Sequence, residues 1–342
     1  MLAALGDNCY GRLCELRLRA EVRDGATVVS DQYATMPFKV MRPFVVPASE
    51  LPGLTRTEDH RHRATPAQVM VMSVSAGIMA GDEQRIDVDV APGAALQMTT
   101  QSFEKIHRMD DGACATRVTN LHVAPGAYLD YSPLPQIPFA GSAFAGETRI
   151  ELDDEGARLV YGEILSAGRV ARGELFAYRS YCNHVRVEVA GRPVFLDNTI
   201  YEPVAEGPSF SGACDEAMGF CVGPMDMEAF GLYEGFTHLA NLVLVNIGVS
   251  EETFAAVRGY LREVTGTVGA AATPLPLPHD GVVARQASSA GDTGEGALTV
   301  SAFDDEVAGG ITRLASGDCV VRLLGRRAQR LQDVLAHVRS LL

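Results

Sequence analysis

The stretch Val90-Ala-Pro-Gly-Ala94-Ala-Leu96 recurs 33 residues later as Val123-Ala-Pro-Gly-Ala127-Tyr-Leu129, and this recurrence is the strongest indication of the fold. A third copy, Glu155-Gly-Ala157-Arg-Leu159, and a fainter fourth, Val189-Ala-Gly-Arg-Pro-Val194, follow at intervals of about 30 to 35 residues. Pro-Gly and other glycine-containing steps of this kind are typical of tight turns. The sequence therefore contains a structural repeat with a turn inside each unit.

A run of alternating apolar and polar residues precedes each of these turns. The four runs are Ile86–Val90, Val118–Val123, Ile150–Leu152 and Val185–Val189. Alternation with a period of two indicates a strand with one buried face. A single strand–turn–strand unit cannot bury its own apolar face, whereas stacked units can. We therefore expect a mainly β protein of stacked, solenoid-like sheet layers, either β-helix-like or a sandwich. An ordinary sandwich with Gly-Ala-rich turns is the alternative.

Two α-helices are expected in the C-terminal third of the chain. Residues 251–264 place an apolar stripe on one face, and Ser250 is suited to cap their first turn. Residues 326–342 carry a second stripe of leucine and valine. The intervening segment 267–295 is rich in Ala, Gly, Pro and Ser and is expected to be a long, mobile loop.

Length and net charge limit the number of domains and the classes of binding partner. The 342 residues are enough for one large core, and we expect a single domain over residues 1–342. With 43 acidic and 29 basic side chains the formal net charge is −14, which argues against binding nucleic acid or an anionic membrane. The longest apolar run, 239–249, is interrupted by Asn241 and Asn246 and is too short to span a bilayer. The start of the chain does not resemble a signal peptide, so a cytoplasmic location is expected.

Lysine is nearly absent, and this excludes one enzyme class. Lys39 and Lys105 are the only lysines, and neither follows the glycine spacing of a phosphate-binding P-loop. The sequence also lacks the Gly-x-Ser-x-Gly, His-Glu-x-x-His and Gly-x-Gly-x-x-Gly patterns. A nucleotide hydrolase of the P-loop type is therefore excluded.

A set of carboxylates is the first candidate for chemistry, because each follows or lies near the end of a predicted strand. They are Asp82, Glu163, Glu174 and Asp197. Stacked repeats would bring equivalent positions together, and such oxygen ligands suit divalent cations. The alternative is that Arg169 and Arg172 pair with Glu163 and Glu174 in structural salt bridges.

A second candidate is a region rich in soft ligands. It contains Cys214, Met218, Cys221, Met225, Met227 and His238. Late transition metals prefer such ligands. Methionine and cysteine are, however, more often found as packing residues in cores and interfaces.

Four motifs resemble one known family in order and spacing over roughly residues 75–200. They are Ser75-Ala-Gly-Ile-Met-Ala-Gly-Asp82, Met98-Thr-Thr-Gln101 with Lys105-Ile-His-Arg108, Leu129-Asp-Tyr-Ser-Pro-Leu-Pro-Gln-Ile-Pro-Phe139, and Glu163 with Gly168-Arg169 and Arg172-Gly-Glu174. They are similar to the Gly-Gly-x-x-Gly-Gly-Asp, Thr-Thr-Gln…Lys-x-Tyr-Arg, Leu-Glu-x-x-Pro-x-x-x-Ile-x-Phe and Glu/Asp…Gly-Arg…Gly-Glu segments of the urease accessory protein D family, UreD/UreH. The motif positions expected to be structural are Gly77, Gly81, Thr99, Thr100, Gln101, Lys105, Gly168, Arg169 and Gly173.

The resemblance implies a scaffold and not an enzyme. Its partners would be urease accessory protein F, the GTPase urease accessory protein G and apo-urease, in a dimeric hetero-complex. No cofactor would be tightly bound, and nickel(II) would pass in transit. Asp82, Glu163, Glu174 and Asp197 match acidic positions of the family and would form the nickel path. Serial oxygen ligands suit transfer, since Ni²⁺ lies high in the Irving–Williams order and a soft closed site would retain it.

Two other functions are consistent with the residues alone. One is a β-solenoid carbohydrate-active enzyme that uses Glu163 and Glu174 as its carboxylate pair. Saccharide sites usually carry aromatic platforms, and this chain has no Trp. The other is a generic interaction module.

Overall fold

Two β-sheets and two α-helices form the fold in the computed structural model, which describes residues 13–54, 64–110, 112–203, 224–265 and 306–342. Within these ranges one sheet has seven strands, in the spatial order β15 (Arg192–Tyr201), β14 (Ser180–Val189), β12 (Ala143–Leu152), β9 (Ala115–Val123), β6 (Glu83–Val90), β1 (Leu13–Arg23) and β2 (Ala26–Ala34).

The other sheet has eleven strands among the described residues. Its main path is β17 (Val307–Arg313), β18 (Cys319–Gly325), β16 (His238–Val245), β13 (Arg158–Ser166), β10 (Tyr128–Tyr131), β7 (Ala95–Thr100), β5 (Ala67–Ser73) and β3 (Phe38–Val40). Three short strands pair beside this path: β4 (Phe44–Val45), β8 (Glu104–Ile106) and β11 (Gln136–Pro138).

The predicted repeat is visible in the strand pairing. Val90 of β6 pairs with Val123 of β9, and Ala95 of β7 pairs with Tyr128 of β10. Strands β6, β9 and β12 are parallel neighbours in the seven-stranded sheet, and β7, β10 and β13 are parallel neighbours in the other. Each unit thus gives one strand to each sheet, which confirms the stacked, solenoid-like arrangement.

The Pro-Gly turns form the corners between the two sheets. Gly93 and Gly126 adopt φ of 73° and 69°, a left-handed conformation that glycine accepts without steric cost. The following Ala94 and Ala127 are completely buried. Small side chains are needed at these positions because the chain reverses against the apolar core.

The fourth copy of the repeat does not form such a corner. Ala190 and Gly191 have φ of 50° and 71°, and they close a hairpin between the antiparallel strands β14 and β15. Positive φ at both central residues is typical of a hairpin turn that matches the strand twist. The chain therefore returns along the seven-stranded sheet, and the expectation that 189–194 continues the stack is wrong.

The main core lies between the sheets and is built from their alternating strands. Its fully or almost fully buried members include Leu16, Val88, Leu96, Leu121, Leu129, Ile150, Val187 and Val243. Apolar burial of this kind contributes roughly 25 cal/mol per Å². The interface between the two sheets is therefore the main source of stability.

Both predicted helices are present, and both pack on the outer face of the eleven-stranded sheet. Helix α1 spans Glu251–Val264, and the Ser250 hydroxyl accepts a 3.1 Å hydrogen bond from the amide of Thr253. Helix α2 spans Ala328–Leu341. The predicted loop at 267–295 lies outside the described residues. None of the helices in the described ranges is long and apolar enough to cross a membrane.

Helix α2 is also held by a buried ion pair. Asp130 on β10 is completely buried and accepts hydrogen bonds from Arg339 of α2, from Gln97 at 2.9 Å and from Ser132 at 2.7 Å. Arg339 also donates to Ser132 at 3.1 Å. The carboxylate thus has compensating partners, and the contact fixes the position of the helix on the sheet.

Candidate functional site

The four sequence motifs lie on successive turns at one end of the stack. The amide of Ile78 donates to the carbonyl of Lys105 at 2.8 Å, and the amide of Phe139 donates to the carbonyl of Ile106 at 2.9 Å. A Cβ atom on Gly77 would lie 2.4 Å from the Lys105 carbonyl, and one on Gly168 would lie 2.6 Å from the Glu174 carbonyl. These glycines are required because backbone segments approach each other closely.

The remaining motif residues have structural contacts. Gly81 and Gly173 adopt left-handed conformations, with φ of 74° and 76°. Thr99 donates to the carbonyl of Ser132 at 2.9 Å, and Thr100 accepts from the amide of Leu134 at 2.9 Å. Each contact joins one turn of the stack to the next.

Further contacts on these turns involve the other motif positions. The backbone amide of Gln101 donates to the carbonyl of Val71 at 2.9 Å, and the exposed Lys105 pairs with Ile137 through the backbones of β8 and β11. Arg169 stacks over the ring of Phe139 at 4.2 Å. The motif turns are therefore one packed surface.

Glu163 lies in the interior between the sheets, surrounded by neutral donors. Its carboxylate accepts hydrogen bonds from the hydroxyl of Tyr161 at 2.9 Å and from the amides of Asn183 at 2.9 Å and Asn241 at 2.7 Å. Within the described residues no arginine or lysine forms an ion pair with it. Burial raises the pKa of Glu163, and the hydrogen bonds from Asn241 and Tyr161 offset this only in part.

Asp197 joins Glu163 through a shared amide. The Nδ2 of Asn241 donates to both carboxylates, at 2.7 Å to Glu163 and 3.3 Å to Asp197. Arg322 forms an ion pair with Asp197 and donates from Nε to the Asn241 carbonyl oxygen at 2.9 Å. The structure therefore brings together two of the four predicted carboxylates.

On the other side of Glu163 lies a buried ion pair that the sequence did not reveal. Arg117 donates to Glu104 at 2.6 Å and to Gln84 at 2.9 Å. Gln136 donates to Glu104 at 2.9 Å and accepts from the hydroxyl of Tyr181 at 2.5 Å. Burial opposes ionisation of Glu104, but the guanidinium of Arg117 outweighs it and lowers the pKa.

These side chains form two hydrogen-bonded groups that meet at a small cavity, and we call them together the polar string. Its members are Gln84, Arg117, Glu104, Gln136, Tyr181, Asn183, Glu163, Asn241, Asp197 and Arg322. Two small cavities of about 20 and 30 Å³ lie along it, and both are lined by Glu163, Asn183 and Gln136. A volume of this size is enough for a water molecule. A third, open pocket of about 390 Å³ borders Arg322 and Tyr201.

Asp82 and Glu174 have their partners elsewhere. Asp82 accepts from the amide of Met79 at 2.8 Å within its own turn. Glu174 pairs with Arg169, which donates from Nε at 2.7 Å and lowers the pKa of Glu174. The salt-bridge interpretation therefore applies to Glu174 and not to Glu163. Neither residue is a member of the polar string.

The soft-ligand candidate has little support in the described part of the chain. Cys214, Met218 and Cys221 lie outside the described residues. His238 is buried, and burial lowers its pKa to about 4. No group of three or more His, Cys, Asp or Glu side chains in the described ranges is arranged to hold a metal ion.

Three members of the polar string could have been found from the sequence. Gln84 and Arg117 are separated by 33 residues, one full repeat, so the repeat predicts that they are neighbours. Asn241 interrupts the most apolar run of the chain, where a polar side chain needs a buried partner. Arg322 and Asn183 carry no comparable signal.

These features together describe a solenoid-like β scaffold with a set of polar side chains between its sheets. The chain matches the family model described as UreD urease accessory protein over residues 13–342. It is 31% identical to urease accessory protein UreD of Acetivibrio thermocellus over 335 residues, which is 98% of this chain and 99% of that protein. It is 34% identical to urease accessory protein UreH of Helicobacter pylori over 264 residues, 77% of this chain and 84% of that protein.

The chain therefore belongs to the UreD urease accessory protein family. This confirms the resemblance drawn from the four motifs. Membership supports a role in urease maturation, and the family name implies an accessory and non-catalytic role.

Proposed function

We propose that the chain is a scaffold through which nickel(II) passes on its way to apo-urease. In this proposal it acts in a complex with urease accessory protein F and the GTPase urease accessory protein G. The chain has only two lysines, and its sequence contains no P-loop pattern. This supports a division of labour in which accessory protein G hydrolyses the nucleotide. The polar string between the sheets is the path that we assign to the ion.

One observation carries the proposal: Glu163 is an inward carboxylate with neutral donors and no cationic partner among the described residues. The other inward carboxylates of the string, Glu104 and Asp197, are each compensated by an arginine. A buried carboxylate without a counter-ion favours a cation in its place. The adjacent small cavities would hold the water molecules that accompany an ion.

The donor set suits transit better than retention. A carboxylate, phenol and amide oxygens, and water are hard or borderline ligands for a divalent ion. The described part of the string contains no thiolate or imidazole that would bind Ni²⁺ tightly. We therefore expect an ion to bind weakly at Glu163 and to move on when a better site is presented.

Replacement of Glu163 tests the proposal. We expect Glu163→Gln to reduce urease activation at least fivefold when the chain is expressed with urease and the accessory proteins, while its free energy of unfolding changes little. Glu174→Gln is the matched control, because it removes a carboxylate whose partner is Arg169, and should leave activation near wild type. Equal losses of activation and stability for Glu163→Gln would mean that the residue is only structural.

A nickel titration of the isolated chain gives a second readout. The proposal expects no submicromolar stoichiometric site. A single submicromolar site that disappears on replacing Cys214 and Cys221 would contradict it.

A further inference from the structure

Arg322 stands where the polar string meets open space. Its side chain is 51% exposed, whereas that of its partner Asp197 is 16% exposed. The residue lies on β18 and borders the pocket of about 390 Å³. One guanidinium therefore contacts both the interior path and the pocket.

The guanidinium lies against the carboxylate of Asp197 at this end of the path. It neutralises Asp197, and it donates from Nε to the Asn241 carbonyl oxygen at 2.9 Å. A fixed positive charge here opposes the approach of a divalent ion. The local charge is therefore unfavourable for entry while Arg322 holds this position.

Arg322 also fixes the orientation of the Asn241 amide. With its oxygen held by Arg322, the amide directs Nδ2 toward Glu163 at 2.7 Å and toward Asp197 at 3.3 Å. In this orientation the amide donates to the two carboxylates, and its oxygen is not directed toward an ion beside Glu163. Without the arginine, the amide is free to rotate and present its oxygen beside Glu163.

The neighbouring pocket gives the guanidinium a place to move. Gly310 on β17 lines it, and no heavy atom lies within 4 Å of the position that a Cβ would take there. The flexible arginine side chain can therefore turn into this space without displacing backbone. Such a movement would free Asp197 and the Asn241 oxygen together.

We propose that Arg322 is a counter-ion latch, which keeps divalent cations out of the polar string until its guanidinium turns into the adjacent pocket. The latch rests on the proposed nickel transit, and Arg322 acts through Asp197 and Asn241 as a positioning residue. It explains how the path, in which Glu163 has no ion pair, avoids holding ions when none is to be delivered.

The test is a titration of the full chain with Ni²⁺ alone, by calorimetry, in the wild type and in Arg322→Gln. We expect the variant to bind Ni²⁺ about five- to tenfold more tightly, because one repelling charge is removed at short range. This gain should vanish when Glu163→Gln is added, which limits the readout to the polar string. Arg186→Gln, which breaks the exposed pair with Glu188 on the other sheet, is the matched control and should bind as the wild type does.

A second variant, Arg322→Lys, allows the same measurement if Arg322→Gln folds poorly. Arg322→Lys keeps a charge near Asp197 but cannot hold Asn241 at the same time, so about a twofold gain in affinity is expected. Unchanged affinity in both variants would overturn the latch. If Glu163→Gln lowers urease activation while the Arg322 variants bind normally, the latch alone fails. If Glu163→Gln leaves both activation and Ni²⁺ binding unchanged, the proposed transit fails.

Discussion

Glu163 and Glu174 are eleven positions apart and have opposite surroundings. Glu174 lies at the motif turns in an ion pair with Arg169, and its pKa is lowered by that partner. Glu163 lies between the sheets among neutral donors, and burial raises its pKa. A carboxylate in this part of the sequence is therefore not by itself a cation site. What distinguishes Glu163 is that neutral donors surround it and that no arginine or lysine among the described residues forms an ion pair with it.

The largest expected effect concerns the ion pairs of the two regions. Arg117→Ala leaves Glu104 buried without its counter-ion and should lower the free energy of unfolding by about 3 to 5 kcal/mol. Arg169→Ala breaks a more exposed pair, which solvent screens, and should cost far less. Urea denaturation of both variants measures the difference. Adding Glu104→Gln to Arg117→Ala should recover part of the lost stability. If Arg117→Ala and Arg169→Ala lower the free energy of unfolding equally, the two regions do not differ as described.

Neutralising the two carboxylates should have smaller effects on stability, and the effects should differ in sign between Glu163 and Glu174. Near neutral pH, Glu163→Gln should leave stability unchanged or raise it by about 1 kcal/mol, since it removes a buried charge and retains an acceptor. Glu174→Gln should lower stability by about 0.5 kcal/mol because it weakens the pair with Arg169. The same denaturation experiment measures both. Losses of the same sign and size would show that the two surroundings do not differ as described.

The pH dependence of these two variants is the finest test. Because the pKa of Glu163 is raised, its contribution favours the folded state at low pH and is lost as pH rises from 4.5 through the raised value. The pKa of Glu174 is lowered, so its contribution is present above 4.5 and is lost as pH falls through the lowered value. Glu163→Gln should therefore gain stability relative to wild type above pH 4.5. Glu174→Gln should approach wild type below it, and parallel curves would contradict both directions.

Much of the fold follows from local sequence patterns. The 33-residue period predicts the pairing of Val90 with Val123, because identical turns place equivalent strands side by side. Helix α1 has the predicted bounds, since Ser250 provides a clear start and the apolar stripe a clear face. The fourth unit could not be predicted in this way. Its turn sequence suits both a corner and a hairpin, and only the positive φ at Ala190 and Gly191 decides between them.

The site was predictable only in part, because its contacts are long-range. Glu163 and Asp197 were expected from their strand ends, but their link through Asn241 joins β13, β15 and β16. The compensation of Asp197 comes from Arg322, 125 positions later in the chain. Which carboxylate keeps a partner and which does not is decided by tertiary packing, and no local pattern reports it.

The hairpin at Ala190-Gly191 also determines how far the interior extends. Each further unit of the stack would add one strand to each sheet and lengthen the molecule by one strand spacing, about 4.8 Å. It would also place one more set of inward side chains between the layers. By turning the chain back after β14, the hairpin fixes the number of units and hence the distance that separates Glu104 from Arg322. The length of the interior therefore depends on the number of repeats that precede the hairpin.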